Sequence, residues 1–304
     1  MKNPIDLAAE AAAFADQYQM LPQGSTVLCA VSGGKDSMAL LSVLQTLAPE
    51  RNLMIHAAHF NHQLRGEESQ RDEDFVSKWC ADHNIPLTIG SGDVAQAAQE
   101  QGKGIEETAR AMRYGFLTET AQEVGAEKIA TAHNADDNAE TVLLHLVRGS
   151  GLDGLTGIPP VRGILIRPLL GVPRIDIEVY LAQENIPHVE DSTNRDDAYS
   201  RNKVRHQVLP VLKEINPWLI PRTAETIGSL REDDAYLQAI ADHEVQCAVR
   251  RGGELVLPVV RIAGQPGPIA VRMVRALLAE LDTYQFSAAH LRAVTALCRG
   301  GDPS

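Results

Sequence analysis

The sequence predicts an α/β protein in which a parallel β-sheet, covered by helices on both faces, precedes a smaller and mainly helical domain. Two observations support this fold class. Short apolar runs rich in β-branched residues alternate with helical stretches along the first two thirds of the chain, which is the pattern of βαβ units. After Asn216-Pro217 the alternation stops. We place the boundary at about 216–221, which gives a first domain of 1–216 and a second of 217–304.

The elements of the first domain follow in strict order, beginning with an alanine-rich helix at 6–19 and a buried strand at Thr26–Val31. The later strands are expected at Leu53–Phe60, Pro86–Ile89, Lys128–Ala132 and Ile164–Pro168, and the helices at Ser37–Leu47, 68–83, Gly104–Val124, Asp136–Arg148 and Arg201–Ile215. In the second domain we expect helices at 222–250, 268–281 and 287–298, and a strand at Glu254–Pro258. Right-handed crossovers bring the loops after parallel strands to one edge, where ligands bind.

Composition indicates a cytoplasmic protein. The N-terminus is polar and acidic, with no basic segment before an apolar run, so it does not resemble a signal peptide. No apolar run approaches the length of a membrane span. The four cysteines, at 29, 80, 247 and 298, form no CxxC pair. We therefore expect free thiols in a reducing compartment, and neither a zinc site nor an iron–sulfur cluster.

The net charge of −12 argues mildly against a nucleic-acid partner, because proteins that contact many phosphates are usually basic. A compact basic cluster, Arg201, Lys203, Arg205 and His206, could override the bulk charge locally. On charge alone, a solvated face is the simpler interpretation of that cluster. The sequence is silent on oligomeric state, and a homodimer is compatible with it.

The sharpest motif is Ser32-Gly33-Gly34-Lys35-Asp36-Ser37, which lies between the first strand and its helix. Glycines let the backbone approach an anion, and a helix N-terminus presents unpaired N–H groups to it. The loop is shorter than a Walker A motif, and its aspartate fits beside a polyphosphate only with Mg²⁺ between them. The motif therefore predicts a phosphate loop with Asp36 as a metal ligand. The alternative is a glycine turn with a capping aspartate.

A second polar block, Thr131 to Thr141, follows the fourth strand and begins the next helix. His133 lies at the junction, and Asp137 and Glu140 are three residues apart on one face of the helix. Capping alone is one explanation, since acids are favoured at a helix N-terminus. Three acids within five residues exceed what capping needs, and a carboxylate pair suits a substrate ammonium or a metal.

Three further polar blocks accompany these two. His59-Phe60-Asn61-His62-Gln63-Leu64-Arg65-Gly66 follows the second strand, and a polar loop is its simplest interpretation. Arg110 and Arg113 share one face of the long helix, where they could clamp phosphate oxygens or form salt bridges to Glu106 and Glu107. The third block runs from Asp191 to Arg205, with a capped surface helix as the alternative.

Taken in order, the blocks resemble the PP-loop family of N-type ATP pyrophosphatases, whose loop reads SGGxDS. The later blocks resemble the tRNA(Ile)-lysidine synthetase branch, with the patterns HxNHxLR, ARxxRY, TAHxxDDxxET, RGSGxxGL and DxxNxDxxxxRNxxR. They span residues 32 to 205, so the resemblance covers the first domain. It implies a Rossmann-like PP-loop domain of the adenine nucleotide alpha hydrolase type, followed by a tRNA-binding helical domain. Longer members carry a further C-terminal domain, and the sequence leaves open whether this chain is a short member or was cut at a boundary.

The resemblance implies a carbon–nitrogen ligase that uses ATP, Mg²⁺ and free L-lysine. ATP adenylates the 2-carbonyl oxygen of the wobble cytidine in the CAU anticodon of tRNA(Ile), and pyrophosphate leaves. The ε-amine of lysine then attacks carbon 2 and expels AMP, leaving lysidine. The codon specificity changes from AUG to AUA.

The resemblance also implies roles for the quoted residues. Ser32–Ser37 would bind the phosphates, with Asp36 on Mg²⁺, and Asp137 and Glu140 would hold lysine. The residues expected to act in catalysis are Asp36, Arg113, His133, Asp137 and Glu140. Those expected to face the tRNA or the phosphates are His59, Asn61, Arg65, Arg110, Asn194, Arg201, Lys203 and Arg205.

Two other functions are weighed against this one. A PP-loop tRNA 2-thiolation enzyme needs paired cysteines for sulfur transfer or a cluster, and the dispersed cysteines argue against it. A non-catalytic nucleotide-binding module would not need Asp36, Asp137 and Glu140 together with two basic blocks. Pyrophosphate release that depends on tRNA and lysine would exclude such a module.

Overall fold

The structure, a computed structural model, describes residues 5–190, 200–252, 254–279 and 286–300. The chain divides into two compact units. The first comprises Met1–Ser150 with Gly157–Glu225, and the second comprises Gly151–Thr156 with Thr226–Ser304. Within the described ranges, no helix is both long and apolar enough to cross a membrane.

A six-stranded sheet forms the centre of the first unit, with the strand order β3-β2-β1-β4-β6-β5. Its strands are β1 Thr26–Ala30, β2 Met54–Asn61, β3 Leu87–Ser91, β4 Lys128–Ala130, β5 Val161–Arg162 and β6 Leu165–Ile166. Every neighbouring pair is parallel except β5 and β6, which form an antiparallel hairpin. The predicted α/β fold with a parallel sheet is therefore confirmed. The predicted fifth strand at Ile164–Pro168 is shorter and is paired with β5, which the sequence did not indicate.

Helices connect the strands of the first unit. They are α1 Leu7–Gln17, α2 Lys35–Arg51, α3 Glu67–Asp82, α4 Val94–Gln101, α5 Ile105–Glu123, α6 Ala135–Val147 and α8 Arg174–Gln183. A continuous helical stretch then runs through α9 Ser200–Lys203, a π-helical turn at Val204–Val208 and α10 Leu209–Ile215. The short helices α4 and α8 were absent from the sequence-based prediction.

The hydrophobic core of the first unit covers both faces of the sheet. On β1, the alternate residues Val27 and Cys29 pack with α1, α2 and α8, whereas Leu28 packs on the opposite face with Leu117 and Ala121 of α5. A strand buried on both faces requires a continuous apolar run, which β1 has. This packing fixes the end of β1, and therefore the start of the loop that follows it.

The second unit is mainly helical. It contains α7 Leu152–Leu155, the C-terminal part of α11 Leu219–Val245, the hairpin of β7 Val249–Arg251 and β8 Glu254–Val256, and the helices α12 Val259–Ala263, α13 Gly267–Ala279 and α14 Ala288–Cys298. Ala270 and Met273 of α13 are fully buried in its apolar cluster. The predicted end of the long helix at 250 is wrong, because β7 begins at Val249.

The loop after β1 is closed by a second segment of backbone. Gly33 has φ of +87°, and the Val189 N–H donates to the Gly33 carbonyl at 2.9 Å. A Cβ on Gly33 would lie 2.9 Å from Val189 Cγ2 and 3.3 Å from Val76 Cγ2. Glycine is therefore required here both by the backbone conformation and by the space available.

We predict that Gly33→Ala lowers the free energy of unfolding by about 1–3 kcal/mol more than Gly24→Ala does, since overpacking adds to backbone strain. Gly24 is the matched control, because its φ is +77° and a Cβ there would meet nothing within 4 Å. Urea unfolding of both variants measures the difference. Equal losses would show that Val189 does not hold the loop.

Candidate functional site

Two strand ends meet where the order of the sheet reverses. The chain proceeds outward from β1 to β2 and β3 on one side, and β4 lies on the other side of β1. Parallel α/β sheets bind ligands at such a switch point, outside the carboxyl ends of the strands. The Ser32–Ser37 loop follows β1, and the block that contains His133 and Asp137 follows β4. The topology thus brings the two sharpest sequence motifs side by side.

Hydrogen bonds within the Ser32–Ser37 loop fix its shape. The Ser37 hydroxyl donates to the Gly34 carbonyl at 2.8 Å and accepts from the Ser32 N–H at 3.1 Å. The Gly34 N–H is 3.3 Å from Ser32 Oγ. The Lys35 ammonium forms an ion pair with Glu178 of α8. The loop is therefore organised by its own hydroxyl groups at the N-terminus of α2, where helical N–H groups attract anions.

One carboxylate oxygen of Asp36 lacks a hydrogen-bond partner among the described residues. This oxygen, Oδ1, is buried and accepts no hydrogen bond from any residue that the structure describes. Burial and, after it, the nearby Asp137 carboxylate raise the pKa of Asp36, while Arg174 and Asn134 lower it, and the net pKa is about 6. The charge on each of the two carboxyl groups therefore affects the other at the switch point.

Helix α6 begins with a capping box. The Asn134 side chain accepts from the Asp137 N–H at 3.0 Å, and Asp137 Oδ2 accepts from the Asn134 N–H at 3.1 Å. The capping role considered for Asp137 is thus present, but it uses only one carboxylate oxygen. The other oxygen, Oδ1, accepts from Arg174 at 3.1 Å and from Arg205 at 2.9 Å.

Glu140 lies one turn further along α6 and is fully buried. Arg205 donates from Nε to Oε1 at 2.6 Å and from Nη2 to Oε2 at 2.9 Å, which is a two-point contact. Arg201 Nε adds a third bond, to Oε2, at 3.1 Å. The carboxylates assigned to lysine are therefore already paired with guanidinium groups. This pairing anchors the helical stretch Ser200–Ile215 against the start of α6.

Sequence reasoning missed Arg174. Its backbone N–H donates to Asp136 Oδ2 at 2.8 Å, and its guanidinium reaches Asp137. Lys213 Nζ contacts the other oxygen of Asp136 at 2.8 Å. A Pro173-Arg174 pair at a helix start is a weak signal on its own, because it does not indicate which strand end the arginine will face.

A second, basic group of residues lies around Tyr114 on α5. The guanidinium carbons of Arg110 and Arg113 lie 4.9 and 5.5 Å from the centre of the Tyr114 ring. Neither arginine forms a salt bridge to Glu106 or Glu107 among the described residues, so that alternative is not observed. Burial lowers the pKa of His133 to about 3, and Arg167 is its most influential charged neighbour. His133 is therefore neutral, and its Nδ1 lies 3.2 Å from Thr131 Oγ1.

The block after β2 is satisfied by contacts within the protein. His59 is 4% exposed, and its Nδ1 lies 2.8 Å from the Val31 carbonyl. Asn61 is also buried and donates to Glu73 at 2.8 Å, while Arg65 pairs with Asp72 at 2.9 Å. These side chains hold the loop between β2 and α3 against the end of β1.

The last predicted block is described only in part. Asn194 and the rest of 191–199 lie outside the described residues. Arg201 and Arg205 reach Glu140, as stated above, and Lys203 is exposed on the same helical stretch. No group of three or more metal-ligating side chains occurs in the ranges that the structure covers.

Fold and site together define an α/β protein whose phosphate loop lies at the switch point of a parallel sheet. A family model of the PP-loop domain matches residues 7–212, which is more than half of the chain. The chain therefore belongs to the PP-loop family, and the resemblance carried by the sequence motifs is confirmed.

Several curated proteins that the chain resembles are tRNA(Ile)-lysidine synthases. The chain is 37% identical over 262 residues to a tRNA(Ile)-lysidine synthase of Caldanaerobacter subterraneus, covering 86% of this chain and 56% of the relative. It is 34% identical over 309 residues to that of Geobacter sulfurreducens, covering 99% of this chain and 65% of the relative. For that of Thermotoga maritima the identity is 47% over 198 residues, covering 65% of this chain and 48% of the relative. The chain thus spans about half to two thirds of the length of these relatives.

Among solved structures, the chain resembles a U34-tRNA thiolase from Methanococcus maripaludis, with a TM-score of 0.60. The match covers 74% of this chain and 79% of that chain at 17% sequence identity. At this identity the likeness shows a shared fold and nothing about the reaction.

We predict that Asp36→Asn stabilises the metal-free protein at neutral pH but not in acid. The folded-state pKa of about 6 exceeds the ordinary aspartate pKa of 3.8, so the folded protein binds more protons than the unfolded chain does between these pH values. Asp36 therefore lowers the free energy of unfolding as the pH rises from about 4 through 6, by on the order of 3 kcal/mol.

Urea unfolding in the presence of a chelator, at about pH 4.5 and about pH 7.5, measures this effect. Asp74→Asn is the matched control, because Asp74 is an exposed aspartate on α3. A gain of equal size at both pH values, or the same gain in the control, would refute the burial of an ionised Asp36.

Proposed function

We propose that this protein is a tRNA(Ile)-lysidine synthetase. It joins free lysine to carbon 2 of the wobble cytidine in the CAU anticodon of tRNA(Ile), with ATP converted to AMP and pyrophosphate. The codon specificity of the tRNA changes from AUG to AUA. The observation that carries the proposal is the juxtaposition of the Ser32–Ser37 loop and the acidic start of α6 at one switch point. Curated relatives with that name, 34–47% identical, support it.

The Ser32–Ser37 loop binds the polyphosphate of ATP. Its N–H groups lie at the start of α2, where the helix dipole favours negative charge. The Asp36 oxygen that lacks a partner fits a Mg²⁺ ligand, because magnesium in nucleotide sites is held by one or two carboxylates together with the phosphates. When bound, Mg²⁺ would neutralise charge on the departing pyrophosphate. Asp36 holds it close to the loop.

Arg113 and His133 act at the α-phosphate. Arg113 has no carboxylate partner among the described residues, so its guanidinium is available to an oxyanion. His133 is neutral and can donate one hydrogen bond without adding charge. As the cytosine oxygen attacks the α-phosphorus, the bond to pyrophosphate breaks and negative charge grows on the phosphate oxygens. Fixed donors aimed at that charge lower the barrier.

Asp137 and Glu140 hold the lysine amine in the second step. In the present structure they are paired with Arg174, Arg201 and Arg205. Arginine binds phosphate as well as it binds carboxylate, so the phosphates of ATP draw one guanidinium away and free a carboxylate for the ammonium. One carboxylate then accepts a proton from the amine. The ε-nitrogen attacks carbon 2, and the bond to the adenylate oxygen breaks.

The tRNA meets a local basic surface on a protein whose net charge is −12. Exposed Arg110 and Lys203, with Arg201, form this surface at the proposed site. Asn194, which the resemblance also assigns to the tRNA, lies outside the described residues. The buried His59 and Asn61, together with Arg65, act through the loop that they hold. The target base is turned out of its stack to reach the adenylating phosphate. Binding of this kind weakens steeply with salt, and the cytoplasm is where such a tRNA is found.

A tRNA 2-thiolation activity, weighed above, finds no support in the described cysteines. Cys29 and Cys80 are buried, and burial raises the pKa of both thiols, that of Cys80 to about 11. Both therefore stay protonated, and thiolate is the form that attacks in sulfur transfer. The two remaining cysteines, Cys247 and Cys298, lie in the second unit.

The test is mass spectrometry of CAU-anticodon tRNA(Ile) after incubation with the protein, ATP, Mg²⁺ and lysine. We expect one cytidine to gain the mass of one lysine less one water, and the gain to require both ATP and lysine. Tritiated or isotope-labelled lysine identifies the added group. Pyrophosphate release without this product would contradict the proposal.

Variants separate the two chemical steps. We predict that Asp36→Asn reduces ATP-to-AMP turnover at least about 100-fold, as expected for loss of charge stabilisation. Asp137→Asn and Glu140→Gln should block lysine transfer while the tRNA-dependent exchange of pyrophosphate into ATP continues. Glu119→Gln is the control, because Glu119 is exposed on α5. Wild-type lysine transfer in both Asp137→Asn and Glu140→Gln would disprove the lysine assignment.

A further inference from the structure

Arg167 is a buried arginine that follows β6 and has no assigned role. It is 3% exposed. One guanidinium nitrogen, Nη1, donates to the Pro159 carbonyl at 2.6 Å. Its Nε is buried and has no hydrogen-bond partner among the described residues. No described carboxylate lies within ion-pair distance of it. The protein therefore buries a cation here with one neutral acceptor and no counter-charge.

Arg272, the other buried arginine among the described residues, has the counter-charge that Arg167 lacks. Arg272, in the second unit, is 7% exposed and forms an ion pair with Asp234, with Asp153 3.9 Å away. Removing a guanidinium from water without a counter-charge costs several kcal/mol. A fold tolerates such a cost where an external anion completes the site. The Nε atom of each arginine is buried without a hydrogen-bond partner, but Arg272 has a counter-charge among the described residues and Arg167 has none.

The side chains around Arg167 favour the binding of an anion and disfavour the binding of a cation. The Tyr114 side chain lies beside it and favours its charged form, while Arg110 and Arg162 disfavour that form. The Tyr114 hydroxyl is also buried, and it has no partner at full hydrogen-bonding geometry among the described residues. Arg113 lies against the same ring at 5.5 Å. Among the described residues, the arginines of this group have no carboxylate partner.

Solvent reaches the residues that surround Arg167. Arg113 and His133 are partly exposed and Arg110 is exposed, while Arg167 lies buried in the same group. Arg110 and Arg113 attract an oxyanion from solvent, and the buried Arg167 adds to the positive potential at the place where the oxyanion binds. We name Arg110, Arg113, Tyr114, His133 and Arg167 the Tyr114 cluster.

We propose that the Tyr114 cluster is an oxyanion site in which Arg167 and the Tyr114 hydroxyl are phosphate-binding groups, in addition to Arg113 and His133. The ligand is a phosphate group, either from a nucleotide or from an RNA backbone. The inference deepens the proposed function and rests on it only for the source of that phosphate. It assigns Arg167 a role in binding phosphate that is separate from the roles of the Ser32–Ser37 loop and of the acidic start of α6.

Binding of defined anions to charge variants tests the inference. Dissociation constants for inorganic pyrophosphate, AMP and an RNA trinucleotide without terminal phosphates are measured by calorimetry for the wild type, Arg167→Met and Arg167→Lys. We expect Arg167→Met to weaken at least one of the three on the order of 10- to 100-fold, which is the worth of a hydrogen bond to a charged group. Arg167→Lys should recover part of the loss.

Two further variants keep the test decisive. Lys78→Met, which removes an exposed positive charge on α3, is the control for loss of charge alone and should bind as the wild type does. Tyr114→Phe removes only the hydroxyl and should weaken the same anion by about 5- to 10-fold, so the inference can be judged even if Arg167→Met fails to fold.

The three anions distinguish the sources. A loss confined to pyrophosphate or AMP assigns the site to the nucleotide, and a loss confined to the trinucleotide assigns it to RNA. Unchanged binding of all three in Arg167→Met, or in Tyr114→Phe if the arginine variant does not fold, overturns the inference. Lysidine formation by the wild type is measured separately, so failure of the proposed function is recognised independently.

Discussion

The site depends on the mutual repulsion and shared neutralisation of two carboxylates at the switch point of the sheet. Asp36 lies in the first turn of α2 and Asp137 in the first turn of α6, and these helices follow two adjacent parallel strands, β1 and β4. Helix N-termini favour anions, but two acids in a partly buried space oppose one another. Burial, and after it the Asp137 carboxylate, raise the pKa of Asp36. A divalent cation bound there would stabilise both ionised carboxylates.

Three arginine residues from two separate segments neutralise the carboxylates at the start of α6. Arg174 comes from the start of α8, and Arg201 and Arg205 come from the helical stretch that contains a π-turn. Since buried pairs are strongly coupled when geometry is good, they hold these segments at the same edge as the phosphate loop. The same guanidinium groups can transfer to phosphate. The ion pairs therefore hold these segments together in the free protein, and in the proposed reaction the guanidinium groups would bind phosphate.

The sequence was informative where a local pattern has one physical meaning. Residues 32–37 indicated a phosphate loop because glycines and a helix start must follow a buried strand there, and strand alternation indicated a parallel sheet. Long-range partners had no such signal. Arg174 and Arg167 each look like an ordinary arginine, and only the folded sheet shows that one faces Asp137 and that the other is buried without a counter-ion. The β5–β6 hairpin was missed because two-residue strands carry no periodicity.

Interpretation of Asp137 shows why sequence alone left alternatives open. A carboxylate at the third position of a helix is expected to cap it, and Asp137 does so with one oxygen. The other oxygen is turned toward arginines that lie 37 and 68 residues further along the chain. Capping and site formation are therefore compatible uses of the same side chain, a combination that residue spacing cannot reveal.

The most direct measurement is a double-mutant cycle between Asp36 and Asp137, using urea unfolding without metal at about pH 7.5. If the carboxylates face each other, Asp36→Asn stabilises the protein less in an Asp137→Asn background than in the wild type, by at least about 0.5 kcal/mol. The difference should vanish at about pH 4.5, where Asp36 is protonated. Equal effects in the two backgrounds at the higher pH would contradict the common site at the switch point.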